Sequence, residues 1–184
     1  MNWTLSNRIT VFRIILVPVF ILTFYLPQPW SFYASGLIFA IAGWSDWFDG
    51  YLARTRNEVT AFGRFLDPVA DKLLVTVALI LLVNEGFASA ILVLIIICRE
   101  IVISSLREWL AERNVIVHVS QMGKWKTVIQ MCAIEGLLIH VDFFGFPMHD
   151  AGTVLLWVAT VLSVWSGYEY LKGALPEFQK GDID

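Results

Sequence analysis

Six long apolar stretches, almost free of charged side chains, constrain this chain more than any other feature of its sequence. They cover residues 9–26, 32–44, 73–83, 88–98, 128–141 and 152–165. The chain is 58% hydrophobic, with a mean hydropathy of +0.69, whereas a soluble domain is usually nearer half apolar. A helix needs about 20 residues to cross the apolar core of a bilayer. The sequence therefore predicts an all-α integral membrane protein.

Six transmembrane helices account for these stretches once their polar flanks are included. We predict helices at about 8–27, 32–55, 66–84, 87–111, 121–142 and 150–172. They form one membrane domain over residues 1–184, and the polar segment 176–184 is expected to be a loose cytoplasmic tail.

The positions of the 13 Lys and Arg residues predict the orientation of these helices. All of them lie near the termini or in and beside two connections, between the second and third helices and between the fourth and fifth. The other three connections contain none. Because Lys and Arg collect on the cytoplasmic side of a membrane, both termini are predicted to be cytoplasmic.

Four aspartates stand out against the apolar background: Asp46, Asp49, Asp67 and Asp71. Residues three or four apart share one face of a helix, so each pair is expected to point one way from its own helix. Both pairs lie at the predicted cytoplasmic ends of the second and third helices. Carboxylates in apolar segments mark functional sites by default, and a group of hard oxygen ligands suits Mg²⁺ or Mn²⁺.

The same segment resembles the signature of the CDP-alcohol phosphotransferase family, D-x2-D-G-x2-A-R-x8-G-x3-D-x3-D. All its fixed positions are present: Asp46, Asp49, Gly50, Ala53, Arg54, Gly63, Asp67 and Asp71. The resemblance implies that the first seven bind the CDP group of the donor and its metals. It also implies that the four aspartates hold two divalent cations, Mg²⁺ or Mn²⁺. Asp71, the last acid, is then free to act as general base.

The N-terminal segment SNRITVFR is similar to the opening of the same family, N-x-L-T-x2-R. This similarity makes Asn7 a further candidate for binding the CDP-diacylglycerol donor. The simpler interpretation is that Asn7 caps the first helix.

A second polar group lies on the fourth and fifth predicted helices. Arg99 and Arg107 are eight residues apart, which places them within about 80° of each other on a helix. The fifth helix opens with GKWKT, which contributes Lys124 and Lys126. We interpret these four as a pocket for a small phosphorylated alcohol; snorkelling and structural ion pairs are the alternative. Glu100 is expected to point away from Arg99.

Four further segments resemble bacterial members of the family whose acceptor is sn-glycerol 3-phosphate: TVFRIILVPVFILTFYLP, GRFLDPVADKLL, CREIVISSLREWLAE and GKWKT. The resemblance implies a metal-dependent transfer of the phosphatidyl group from CDP-diacylglycerol to sn-glycerol 3-phosphate, giving phosphatidylglycerophosphate and CMP in anionic phospholipid synthesis. It also implies a multi-pass homodimer in the bacterial inner membrane, with its active site facing the cytoplasm and no nucleic-acid partner.

Two alternatives remain open. Another member of the family would carry the same signature but use a different acceptor, such as inositol phosphate, serine or a second phosphatidylglycerol. A neutral acceptor would not need Arg99 and Arg107. A divalent-cation transporter also lines its path with acids, but it would spread them across the depth of the membrane, whereas here they cluster on one side.

Overall fold

The computed structural model is described for residues 5–56, 61–113, 115, 121–140 and 145–181. Within these ranges the side chains of residues 5–6, 46–56, 61–65, 67, 71 and 179–181 are not described. The chain forms six helices in these ranges, as predicted: α1 (Leu5–Phe24), α2 (Trp30–Arg56), α3 (Ala61–Asn84), α4 (Ala90–Glu112), α5 (Gln121–Ile139) and α6 (Met148–Gly181).

The largest difference from the predicted boundaries is at the end of α6. The sequence predicts that this helix ends at 172 and that a loose tail begins at Pro176, but α6 continues to Gly181. Proline removes one backbone hydrogen bond from a helix interior. Packing offsets that loss here, because the Phe178 ring stacks on Trp109 of α4 with centroids 4.6 Å apart and planes 13° apart.

The helices pack as a bundle in which α5 lies mainly against α6, α1 lies against α2 and α3, and α4 lies against α6. The α5–α6 contact is close because both helices carry a glycine there. A Cβ atom on Gly152 would lie 2.8 Å from the backbone nitrogen of Leu137, and one on Gly136 would lie 3.1 Å from the carbonyl oxygen of Met148. Small residues let membrane helices approach each other in this way.

Two apolar clusters fill the interior. The larger one takes residues from all six helices and has Phe20, Phe39, Leu79, Ile134 and Leu156 among its fully buried side chains. The smaller one joins the C-terminal halves of α4 and α6. It consists of Ile103, Leu106, Leu110, Tyr170 and Ala174. Polar side chains lie between the two clusters, and they form the site described below.

Large apolar side chains also cover the outside of the bundle. Leu22, Leu37, Leu94 and Val161 each expose more than half of their surface, and soluble monomers rarely expose extensive apolar patches. Two helical segments, Asn7–Phe24 and Met148–Phe178, are long and apolar enough to cross a bilayer, judged by length and composition among the described residues.

Aromatic rings gather at one end of the bundle, where α3 connects to α4 and α5 connects to α6. Phe87 stacks on His140 with ring centroids 4.2 Å apart, and His149 packs edge-on against His140 at 4.3 Å. The end of α2 and the start of α3, which carry the aspartates, lie at the opposite end of their helices.

Candidate functional site

The backbone places the signature residues around one helix connection. Asp46, Asp49, Gly50, Ala53 and Arg54 lie in the last turns of α2, and Gly63, Asp67 and Asp71 lie in the first turns of α3. Their side chains lie outside the described part of the chain. We therefore still regard the metal ligands, the donor contacts and the role of Asp71 as predictions.

The start of α1 adds a buried polar face beside these helices. Asn7, Thr10 and Arg13 are three residues apart, so they share one side of α1. Their exposed fractions are only 5%, 0% and 4%, and the partners of α1 are α2 and α3. The sequence-predicted candidate Asn7 thus lies on the face of α1 that packs toward the two signature helices.

Arg99 is tied to α6 by two hydrogen bonds. Its Nε donates to the carbonyl oxygen of Ser163 at 3.0 Å, and its Nη2 donates to the hydroxyl of Ser166 at 2.9 Å. Gly167 leaves room for the side chain, since a Cβ atom there would lie 3.3 Å from Cγ of Arg99. The guanidinium is therefore held in one position inside the apolar part of the bundle, where an unpaired charge would be costly.

Glu100 joins Arg99 to Lys126, and the expectation that Glu100 points elsewhere is wrong. Nη1 of Arg99 lies 3.2 Å from Oε1 of Glu100, and Nζ of Lys126 on α5 forms an ion pair with the same oxygen. Neighbouring helix residues leave the axis about 100° apart, but long side chains can bend toward each other. One carboxylate thus brings two of the predicted acceptor-binding cations together.

A hydrogen-bonded path runs from this ion group to the signature helix α3. Nζ of Lys72 donates to the hydroxyl of Ser104. That hydroxyl donates in turn to the backbone carbonyl of Glu100 at 2.6 Å. Lys72 directly follows Asp71 in the sequence. The path therefore connects the middle of α3 to the backbone of α4 at Glu100.

The other two predicted acceptor-binding cations lie elsewhere. The guanidinium carbon of Arg107 lies 5.5 Å from the ring centroid of Tyr170, and this side chain is exposed. Lys124 is exposed, whereas Lys126 is buried, because residues two apart lie on different faces of a helix. The structure thus brings together Arg99 and Lys126 and leaves Arg107 and Lys124 outside this group.

The site includes polar residues that the sequence analysis missed. Ser163 and Ser166 lie on α6, and Gln130 lies one turn after Lys126 on α5; all three are buried. Among the described residues, the hydroxyl of Ser163 and Oε1 of Gln130 have no hydrogen-bond partner. Buried polar groups are nearly always bonded to something. The sequence signal that could have identified this part of the site is the pair of serines, Ser163 and Ser166, in a mostly apolar helix.

Together these residues form a largely buried polar cluster, named the polar chamber below and defined by Arg99, Glu100, Lys126, Gln130, Ser163 and Ser166. It combines two cations with one carboxylate, so its net charge is positive. Guanidinium and ammonium groups in a poorly solvated place form strong charge-assisted hydrogen bonds with phosphate. The chamber is therefore suited to binding a small anion.

Comparison with known proteins gives one consistent result. The family model described as CDP-alcohol phosphatidyltransferase matches residues 3–165. A protein of Escherichia coli (strain K12) is 47% identical over 179 residues, covering 95% of this chain and 96% of that protein. A protein of Haemophilus influenzae is 46% identical over 178 residues, covering 95% of both. Both relatives are named CDP-diacylglycerol–glycerol-3-phosphate 3-phosphatidyltransferase.

Proposed function

The chain belongs to the CDP-alcohol phosphatidyltransferase family, and we propose that its acceptor is sn-glycerol 3-phosphate. The reaction would transfer the phosphatidyl group of CDP-diacylglycerol to the acceptor and release CMP, with phosphatidylglycerophosphate as product. The names of relatives that match almost the whole chain support this assignment. The observation that carries it in this molecule is the ion group in which the half-buried Arg99 and the buried Lys126 share the carboxylate of Glu100.

The polar chamber supports a phosphorylated acceptor over a neutral one. Two cations in an apolar bundle are costly unless they bind an anion, and Glu100 supplies only one negative charge. A phosphate group carries enough negative charge to offset the remaining positive charge. Serine or another acceptor without a phosphate group would leave the chamber with excess positive charge. Inositol phosphate would satisfy the same charge requirement, so the acceptor panel described below has to separate it from glycerol 3-phosphate.

The donor would bind at the signature. Four aspartates form a donor set of hard oxygens, which fits Mg²⁺ or Mn²⁺, and Asp46, Asp49, Asp67 and Asp71 would hold two such ions. When bound, the ions would neutralise charge on the pyrophosphate and on the departing CMP. Arg54 and the small residues Gly50, Ala53 and Gly63 would contact the CDP group, because missing side chains let a ligand approach the backbone.

The chemical step then needs one proton acceptor. Asp71 would take the proton of the primary hydroxyl of glycerol 3-phosphate, and that oxygen would attack the phosphorus that carries diacylglycerol. A new oxygen–phosphorus bond forms, and the bond to the CMP oxygen breaks. The hydrogen-bonded path through Lys72, Ser104 and Glu100 would keep the base and the acceptor phosphate in a constant relation, which is what transfer by positioning requires.

The same proposal places the protein in the bacterial inner membrane with six transmembrane helices, both termini and the active site on the cytoplasmic side. This placement is supported by the exposed apolar side chains and by two helices that are long and apolar enough to cross a bilayer. The distribution of Lys and Arg supports the orientation. A homodimer, expected from the family resemblance, completes the proposal.

An acceptor panel tests the proposed function. Purified protein in detergent with CDP-diacylglycerol and Mg²⁺ would be offered glycerol 3-phosphate, inositol phosphate, serine and phosphatidylglycerol separately. The lipid product would be identified by mass spectrometry and CMP release measured. We expect phosphatidylglycerophosphate from glycerol 3-phosphate and little product from the others. Efficient transfer to another acceptor, with none to glycerol 3-phosphate, would overturn the assignment.

A further inference from the structure

We propose that Glu100 is a positioning residue for the acceptor: it holds Arg99 and Lys126 at the spacing that binds the acceptor phosphate. This inference rests on the proposed function, because it concerns the same site. It assigns a role to an acid that the signature does not contain.

Glu100 reaches cations from two helices. Its carboxylate oxygen Oε1 lies 3.2 Å from Nη1 of Arg99 and forms an ion pair with Nζ of Lys126. Arg99 is bound to α6 through Ser163 and Ser166. The carboxylate therefore connects α4, α5 and, through Arg99, α6. A displacement of Glu100 would change the relative position of both cations.

The contacts of these side chains leave donors for a ligand. A guanidinium carries five N–H groups and an ammonium carries three. Counted over the described residues, Arg99 uses three of its N–H groups, on Ser163, Ser166 and Glu100, and Lys126 uses one on Glu100. Each cation thus keeps two N–H groups, and a phosphate can accept from both cations while Glu100 stays in place.

The charges give Glu100 a second effect on binding. The side chains of Arg99 and Lys126 are only 15% and 5% exposed, so the two cations repel each other with little screening by water. One carboxylate between them offsets that repulsion. The group retains one net positive charge, which still favours an anion.

An ordinary structural ion pair is the competing interpretation, and it makes a different prediction. A structural pair affects folding and both substrates alike. A positioning residue affects the dependence on one substrate, since only the acceptor phosphate uses the two cations. The kinetic constants for the donor and the acceptor therefore separate the two interpretations.

The variant Glu100→Gln tests the proposal, because it preserves the shape and removes the charge. Glu108→Gln is the matched control: it is the same substitution on the same helix at an exposed position. We expect Glu100→Gln to raise the KM for glycerol 3-phosphate by at least about tenfold, the size expected for charged hydrogen bonds. The KM for CDP-diacylglycerol should stay within about twofold of the control. An unchanged acceptor KM, or equal changes for both substrates, would overturn the proposal.

Glu100→Asp keeps the test decisive if the glutamine variant does not fold. This variant retains the charge on a shorter side chain, so it should fold and should show a smaller increase in the acceptor KM, again without a change in the donor KM. If Glu100→Asp affects neither constant or both equally, the proposal is wrong.

Failure of the proposed function would give a different experimental result. Wild type and Glu108→Gln report whether glycerol 3-phosphate is the acceptor at all. If another phosphorylated alcohol serves instead, the same comparison is made with that acceptor. If no acceptor is used, inorganic phosphate is the probe: it should raise the melting temperature of wild type and of Glu108→Gln but not of Glu100→Gln. Equal protection of all three proteins would contradict the role of Glu100.

Discussion

Arg99 on α4 donates a hydrogen bond to the hydroxyl of Ser166 on α6, with 2.9 Å between Nη2 and Oγ. This bond and the one to the Ser163 carbonyl hold Nη2 and Nε of the guanidinium, while Nη1 contacts Glu100. The position of the Arg99 guanidinium is thus set by α4, by the two bonds to α6 and by the carboxylate of Glu100. The same arrangement makes the contribution of each contact measurable.

Removing the Ser166 hydroxyl should loosen Arg99 without releasing it. In Ser166→Ala the bond to the Ser163 carbonyl remains, so we expect a loss of stability of about 1.5–3 kcal/mol at most and an increase of a few fold in the acceptor KM. Thermal melts in detergent and initial rates measure the two effects. Ser105→Ala, an exposed serine on α4, is the control. Indistinguishable behaviour of the two variants would mean that Ser166 does not hold Arg99.

A glycine substitution on α6, compared with one on α2, tests how closely α5 and α6 approach. In Gly152→Ala the new Cβ would lie 2.8 Å from the backbone nitrogen of Leu137, so the helices must separate. In Gly43→Ala it would lie at the same 2.8 Å, but from the flexible end of Met131. We expect Gly152→Ala to cost about 1–3 kcal/mol and Gly43→Ala to cost clearly less. Melting curves that rank the two variants in the reverse order would contradict the described contact.

The metal hypothesis predicts that the signature aspartates depend on their charge. Asp46→Asn, Asp49→Asn and Asp67→Asn should each lower turnover at least about a hundredfold, because an amide is a poorer ligand for a hard cation and metals contribute several kcal/mol to such reactions. Chelation of wild type should have the same effect, and added Mg²⁺ should restore it. Asp150→Asn, at the exposed start of α6, is the control. Near-normal rates in all three variants would rule out the two-metal site.

Much of this molecule follows from its sequence. The number of helices follows from the apolar stretches. The spacing of Arg99 and Arg107 indicates that they share one side of α4, but it does not indicate that this side faces α6. The end of α6 does not follow from the sequence, because a proline and polar residues normally indicate that a helix stops. The helix continues because the Phe178 ring stacks on Trp109 of α4, a residue far away in the sequence.

The contacts between helices cannot be predicted from short segments of a single sequence. Nothing in the segment around Glu100 indicates that its partner is Lys126 on α5, because that pairing depends on how α4 and α5 are placed around α6. The same holds for Ser163 and Ser166, whose spacing fits ordinary small-residue packing. The signature, in contrast, is recognisable because its residues are close together in the sequence.

The proposed orientation can be tested by labelling single cysteines in intact cells. In a background without Cys98 and Cys132, a cysteine at Ser89 or Asp150 should react with a membrane-impermeant reagent added outside, and one at Asn57 should react only after the cells are opened. The reason is that Lys and Arg collect on the cytoplasmic side, and the connections at Ser89 and Asp150 contain none of them. Labelling of Asn57 from outside would reverse the orientation and remove the cytoplasmic nucleotide site.

The most direct test of the account is the substrate dependence of Arg99→Ala. Arg113→Ala, an exposed arginine beyond α4 whose guanidinium carbon lies 4.2 Å from the Trp109 ring centroid, is the matched control. Both variants would first be shown by thermal melts in detergent to be folded. The account predicts that Arg99→Ala raises the KM for glycerol 3-phosphate at least about tenfold and leaves the KM for CDP-diacylglycerol unchanged. A folded Arg99→Ala enzyme with the glycerol 3-phosphate dependence of wild type would contradict the account, because the chamber would then not be the acceptor site.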